Sequence, residues 1–286
     1  MRSYLKRVAT LKKEEAMTKR TLHRLLPILV AIAFLVACGG GGNSGSGSVE
    51  VISEGVMTKG SVIVNGVTFN AAGATITKDD NPATEIELED GMVVKVKGHR
   101  NDDGVTGTAD AVETENEITG EIESINPTQR GFRVLNQYIY ADDQTIYYNV
   151  INFGGLNTTD FVEVHGQRDA DNRIRASRIE LLGGDPGIDE LKGFIEAGTL
   201  STGAGTFAIC SGPVAIEICT GITTSGATSY GPAPAVTSIN DLSEGDLVEV
   251  EGNYVGGTLA ATKIHLEDLE DAEFEPVEGQ EVEYEG

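Results

Sequence analysis

Four histidines, three cysteines and 45 aspartates and glutamates are the residues of this 286-residue chain best equipped for chemistry, so their spacing is the first test of it. His23 lies in a basic leader, His99 and His165 stand beside Gly98 and Gly166, and His265 falls in a strand-like stretch near the end. None is at metal-ligand spacing from another His or Cys, and each of the last three is read as an exposed strand histidine. There is no GxSxG elbow, no GxxxxGK[ST] loop and no HExxH helix, which leaves serine hydrolases, P-loop enzymes and zinc proteases without their local signatures. Carboxylates are so numerous that an acid–base pair is not selectable without geometry.

Two acidic loops, Asn101-Asp102-Asp103 and Asp169-Ala170-Asp171-Asn172, occupy equivalent places in similar segments. Asp102, Asp103, Asp169 and Asp171 are weak candidates for Ca²⁺, a hard cation that takes six to eight oxygens. Neither loop has EF-hand spacing, and Asp and Asn are what a hairpin tip prefers in any case. No cofactor is expected. Cys210 and Cys219 lie in FAICSGPVAIEIC; in an exported protein two neighbouring cysteines pair. A tight turn at Gly212-Pro213 sets Cys210 opposite Ala215, so a bridge demands a wider loop or an offset strand, and two buried thiols are the alternative.

The export argument comes from the leader. Lys19, Arg20, His23 and Arg24 precede a 13-residue apolar run from Leu25 to Ala37, broken by Pro27. That is the pattern of a secretory signal peptide over residues 1–37, and the run is short of the roughly 20 residues a membrane span needs. Met17 gives a more usual start than Met1. Leu35-Val36-Ala37-Cys38 resembles the lipobox of bacterial lipoproteins, which implies that Cys38 is acylated and becomes the new N-terminus. Residues 38–48 then read as a lipidated cysteine and a Gly/Ser linker, with a reach of roughly 16–19 Å. By the same resemblance Gly39, which is not the aspartate of inner-membrane retention, implies an outer-membrane lipid anchor facing the periplasm or the cell surface.

Charge narrows the partners. Residues 1–37 hold eight of the 21 Lys and Arg but two of the 45 acids, which leaves the remainder at −30. Such a surface repels nucleic acid and anionic headgroups. The membrane through the anchor, an envelope glycan or protein, and divalent cations stay open as partners.

The elements that position these residues repeat. LEDGMVVKVKG from Leu88, LNTTDFVEVHG from Leu156 and LSEGDLVEVEG from Leu242 align, each a Leu, a turn, an alternating strand and a closing Gly. Val94 and Val96, Val162 and Val164, and Val248 and Val250 face one way, while Lys95 and Lys97, Glu163 and His165, and Glu249 and Glu251 face the other. A period of two with one polar side predicts half-buried strands. Turn residues then lead to ADAVE from Ala109, ASRIE from Ala176 and ATKIH from Ala261, as in hairpins. Ile118-Thr119-Gly120 and Leu191-Lys192-Gly193 mark opening strands, with a weaker version at Gly55. The predicted repeats are 49–115, 116–185 and 186–271, with a solvated acidic tail over 272–286; the last 20 residues carry ten acids, too polar to order themselves.

The lipobox, GSVIVNGVTFNAAGATIT from Gly60 and the L-x-x-G-x-x-V-x-V-x-G repeats together resemble bacterial lipoproteins built from the domain of unknown function numbered 5666. The second copy departs from the pattern at Asn157-Thr158-Thr159. The resemblance implies a small β-barrel like an oligonucleotide/oligosaccharide-binding (OB) barrel, and no activity. The residues themselves argue for an all-β protein of tandem small β-barrel repeats that lend one another buried surface. Expected is a non-catalytic binding or structural module; an envelope-polysaccharide hydrolase and a plain spacer are the alternatives. The third copy carries about 13 extra residues between its opening Gly193 and Val248, so any repeat-specific function is expected in Ser211–Ala235, with a neutral surface insertion as the alternative.

Overall fold

The computed structural model describes residues 48–58, 62–213, 217–232 and 234–267, and the backbone of 282–285. The leader, Cys38 and its linker lie outside the described residues. The fold is all-β: the described residues contain strands and one-turn 3-10 helices and no α-helix. No helix among them is long and apolar enough to cross a membrane.

Repeat one holds β1 (Val49–Val56), β2 (Val62–Val64), β3 (Val67–Asn70), β4 (Thr75–Lys78), β5 (Asn81–Pro82), β6 (Val93–Arg100) and β7 (Thr106–Thr114). Repeat two holds β8 (Ile118–Asn126), β9 (Gly131–Val134), β10 (Gln137–Tyr148), β11 (Phe161–Arg168) and β12 (Ile174–Leu181). Repeat three holds β13 (Asp189–Phe194), β14 (Thr206–Ser211), β15 (Ile218–Thr223), β16 (Ser229–Gly231), β17 (Leu247–Val255) and β18 (Thr258–Leu266), and β19 (Val282–Glu285) follows.

Pairing in repeat two closes on itself. β8, β9 and β10 are antiparallel neighbours, β10 runs parallel to β12, β12 pairs with β11, and β11 returns to β8. Repeats one and three run the same circuit, except that single bridges, Thr58 to Ile63 and Ile195 to Ile209, join their first two strands. The valines of the alternating strands fill the interiors, as their period of two requires.

The closing glycines have a steric cause. Each sits at a register shift in its strand pair, at Gly98, Gly166 and Gly252. A Cβ there would lie 2.2–2.4 Å from the carbonyl oxygen of Thr108, Arg175 or Ala260. The bulge brings two backbones closer than any side chain permits. The leucine that opens each motif caps a one-turn 3-10 helix, Glu85–Glu87, Phe153–Gly155 or Ile239–Asp241, and Leu88, Leu156 and Leu242 are all buried.

Repeats two and three share one apolar core, helped by β8 pairing with β13 through Leu191 and Ile118, while repeat one keeps its own. Three expectations need correction. The polar side of the alternating strands is not uniformly solvent-facing: His165 is 0% and Glu249 2% exposed, because that side packs against the neighbouring repeats. His265 is also largely enclosed, which leaves His99, paired with Asp110 at 3.4 Å, as the one strand histidine of the three that is well exposed. Finally, Val282–Glu285 of the acidic tail adds to β1 as a parallel strand, since β1 otherwise presents an open edge of backbone donors and acceptors.

Candidate binding face and charged junction

Repeat two carries an aromatic face that its sister repeats lack. Alternation along β10 turns Gln137, Ile139 and Ala141 inward and Tyr138, Tyr140 and Asp142 outward. Tyr138 reaches across Gly131, where a Cβ would meet its hydroxyl at 2.2 Å, so the hydroxyl end of the ring fills the space a side chain there would take. The Arg133 guanidinium stands 5.5 Å from the Tyr138 ring centre and Arg173 the same distance from Tyr140, an attraction between cation and ring face. Arg175 donates to Asp142 at 2.6 Å, Arg130 to Asp143 at 2.6 Å and Arg173 to Asp169 at 2.8 Å. Register aligns Arg133 with Tyr138 and Arg175 with Tyr140, so rings and charged groups form one row across three strands. The equivalent outward positions by register are Thr68 and Asn70 in repeat one and Gly221 and Thr223 in repeat three.

Beyond β9 the row reaches β8. Glu123 accepts the Asn136 backbone N–H at 3.0 Å and, with Glu121, Phe161, Asp185, Asp189 and Tyr254, lines a cleft of about 470 Å³ between repeats two and three. Asp189 accepts the Tyr254 N–H at 2.8 Å, and burial raises its carboxyl above the usual carboxylate range.

The second constellation is the junction of the three repeats, where charges meet away from water. Lys78 of repeat one and His165 of repeat two both reach Glu163 at 3.2 Å, and the other ring nitrogen of His165 faces the Glu115 carbonyl at 2.9 Å. Burial works against the Glu163 anion, but the hydrogen bond and charge of His165, with Lys78, hold its carboxyl down at about 2. Lys263 of repeat three donates to Asp80 at 2.7 Å and Glu251 at 2.8 Å, and His265 meets Asp80 at 3.0 Å. Lys192 donates to both Glu115 and Glu267. Asn116 donates to Glu190 at 3.0 Å. Burial, then neighbouring carboxylates, push Glu190 and Glu249 up to about 8.

The residues singled out from sequence fall elsewhere. Asp103 accepts the backbone N–H groups of Val105 and Thr106, and Asp169 those of Asp171 and Arg173. Asp171 faces Arg173 at 3.7 Å. These carboxylates serve their own hairpins, and Asp102 and Asp103 belong to a different repeat from Asp169 and Asp171. Cys210 and Cys219 stand directly opposite in the β14–β15 register and are disulfide-bonded; the connection between Ser211 and Ile218 is the wider loop that the bridge demands. The extra length of repeat three docks on repeat two: Ser211 accepts the Tyr138 N–H at 3.2 Å, Gln137 donates to Thr220 at 2.9 Å, and Gly212 donates to the Asp171 carbonyl at 2.7 Å. It therefore borders the tyrosine face.

The tyrosine row was visible as Gln137-Tyr138-Ile139-Tyr140 but gained meaning only once Gly131 and the arginines were placed beside it. A family model described as "Domain of unknown function (DUF5666)" matches residues 46–113, 119–180 and 192–265, well over half of the chain. No curated protein matches. A solved structure titled "drosophila Unr CSD456" is similar at 12% identity over 63% of this chain and 78% of that one, with a TM-score of 0.21.

Proposed function

The chain belongs to the DUF5666 family, of which it carries three domains, and from that premise we propose that it is a non-catalytic, lipid-anchored envelope module that binds an oligosaccharide along the outer face of repeat two. Its strand circuit, with the third strand parallel to the fifth, supports the reading of an OB-like barrel, whose second and third strands form a binding face. The observation that carries the reading is the row of Tyr138, its ring end over Gly131, and Tyr140 beside it, each with a guanidinium at its ring. A sugar presents C–H groups on its face and hydroxyls on its rim. Aromatic rings suit the first, and paired arginines and aspartates, which offer donors and acceptors together, suit the second. Four strands at about 4.8 Å spacing give a track of about 15 Å, from Arg175 to Glu123 and on to the cleft at Tyr254. The balance of −30 beyond residue 37 favours neutral or amine-bearing glycans over polyanions. Acylated Cys38 and its linker would hold this face clear of the outer membrane.

A glycan array followed by calorimetry tests the reading. Tyr138→Ala and Tyr140→Ala are expected to weaken the selected oligosaccharide at least tenfold each, about 1.4 kcal/mol, with melting temperatures close to wild type. Undiminished affinity in both variants contradicts it, and cleavage of the glycan on incubation would favour a hydrolase working from the acidic cleft.

A further inference from the structure

Glu115 follows β7, Glu249 lies on β17 and Glu267 follows β18, so a carboxylate comes to the junction from the end of repeat one and two from repeat three. One oxygen of each lies within 4.8 Å of the others, and this is the one group of its kind among the described residues. Oxygens about 2.3–2.6 Å from a shared calcium ion are at most about 5 Å apart. The Glu249 and Glu267 side chains are 3% and 9% exposed. Lys192 donates to Oε2 of both Glu115 and Glu267, yet Oε2 of Glu249 and Oε1 of Glu267 are buried and meet no donor. A buried carboxylate oxygen left in that condition is costly unless a cation takes the donor's place.

The repeat itself shows what is missing. Glu163 occupies the position of Glu249 in repeat two, and there His165, two residues on, faces the carboxylate at 3.2 Å. In repeat three the residue two on is Glu251, a second acid. Lys263 must then serve Asp80, Glu251 and, at 3.5 Å, Glu249. Five carboxylates, of Asp80, Glu115, Glu249, Glu251 and Glu267, therefore share two lysines and His265.

We propose that Glu115, Glu249 and Glu267 are the protein ligands of a divalent-cation site at the repeat junction, suited to Ca²⁺ or another hard ion, with water completing the shell. Oxygen-only ligands select hard cations over zinc or copper. Lys192 keeps its bonds to the opposite oxygens of Glu115 and Glu267. By tying the end of repeat one to repeat three, the ion would stabilise their mutual packing.

The test is calorimetric titration of the chelator-treated full chain with Ca²⁺. One saturable site per chain is expected, with a rise in melting temperature. Glu249→Gln should weaken binding at least tenfold, whereas Asp102→Asn with Asp103→Asn, and Tyr138→Ala, should leave it unchanged, which separates this site from the hairpin tips and from the glycan face. If Glu249→Gln does not fold, Glu267→Gln gives the same reading. Affinity unchanged in the variants, or only weak unsaturable binding, would overturn the proposal and leave the three acids to Lys192 and shared protons.

Discussion

At Gly252, Gly166 and Gly98 the chain tolerates nothing larger than hydrogen, because a Cβ would press within 2.2–2.4 Å of a carbonyl oxygen of the partner strand. Gly252→Ala should cost about 1–3 kcal/mol, read as a lowered urea midpoint; a midpoint equal to wild type contradicts the bulge geometry. The sequence marked these glycines by their recurrence, although only the register showed the reason. Buried titration is the other lesson at this scale. Glu190 faces Asp79, Asn116, Glu163, Glu249 and Glu251, and burial with these acids raises its carboxyl to about 8. An unfolded glutamate titrates near 4.3, so the folded state binds the extra proton. The contribution of Glu190 is complete below that unfolded value and is lost as pH rises through about 8. Glu190→Gln keeps an acceptor for Asn116 and removes the titration. Its melting temperature should fall less than that of wild type between pH 5 and pH 9 in scanning calorimetry, and an equal fall sinks the argument.

Strands were legible in the sequence to the extent that period two is legible. The alternation in VVKVKG, VEVHG and VEVEG located β6, β11 and β17 and their inward valines, and the loops NDDG and DADN located hairpins. Alternation says which side of a strand is polar, but it does not say what covers that side. Glu163, His165 and Glu249 were therefore read as solvated, whereas the packing of neighbouring repeats encloses them. The one-turn 3-10 helices before Leu88, Leu156 and Leu242 are too short for a periodic signal. For the cysteine pair the sequence left a wider loop and an offset strand open, and the β14–β15 hairpin takes the wider loop; its six-residue connection brings Cys210 opposite Cys219. In the loop-entropy description a bridge closing about ten residues stabilises by about 2–3 kcal/mol. Cys210→Ala with Cys219→Ala, or reductant, should lower stability by that amount, and because the hairpin docks on Gln137 and Tyr138 it should also loosen the edge of the tyrosine face. Hydrogen exchange at Gln137 and Tyr138 checks this, and unchanged protection rejects it.

As a whole the molecule uses one strand circuit three times and varies the outer surfaces. Repeat one keeps small polar residues where repeat two places tyrosines, and repeat three has Gly221 and Thr223 there, with a disulfide further along the same hairpin, which braces repeat two. The number of repeats followed from sequence, while the division of labour required the placement of side chains. Location is a separate question with its own test. Cys38→Ser removes the acylated thiol, so the protein should leave the membrane fraction for the soluble one, and membrane fractionation equal to wild type contradicts the anchor. The central claim is that recognition belongs to the outer face of repeat two, and chemical-shift mapping of the labelled protein with the array-selected oligosaccharide tests it most directly. Perturbations are expected at Gly131, Arg133, Tyr138, Tyr140 and Arg175, extending to Glu123 and Tyr254; perturbations spread equally over all three repeats, or centred on Ser225–Ala235, would contradict it.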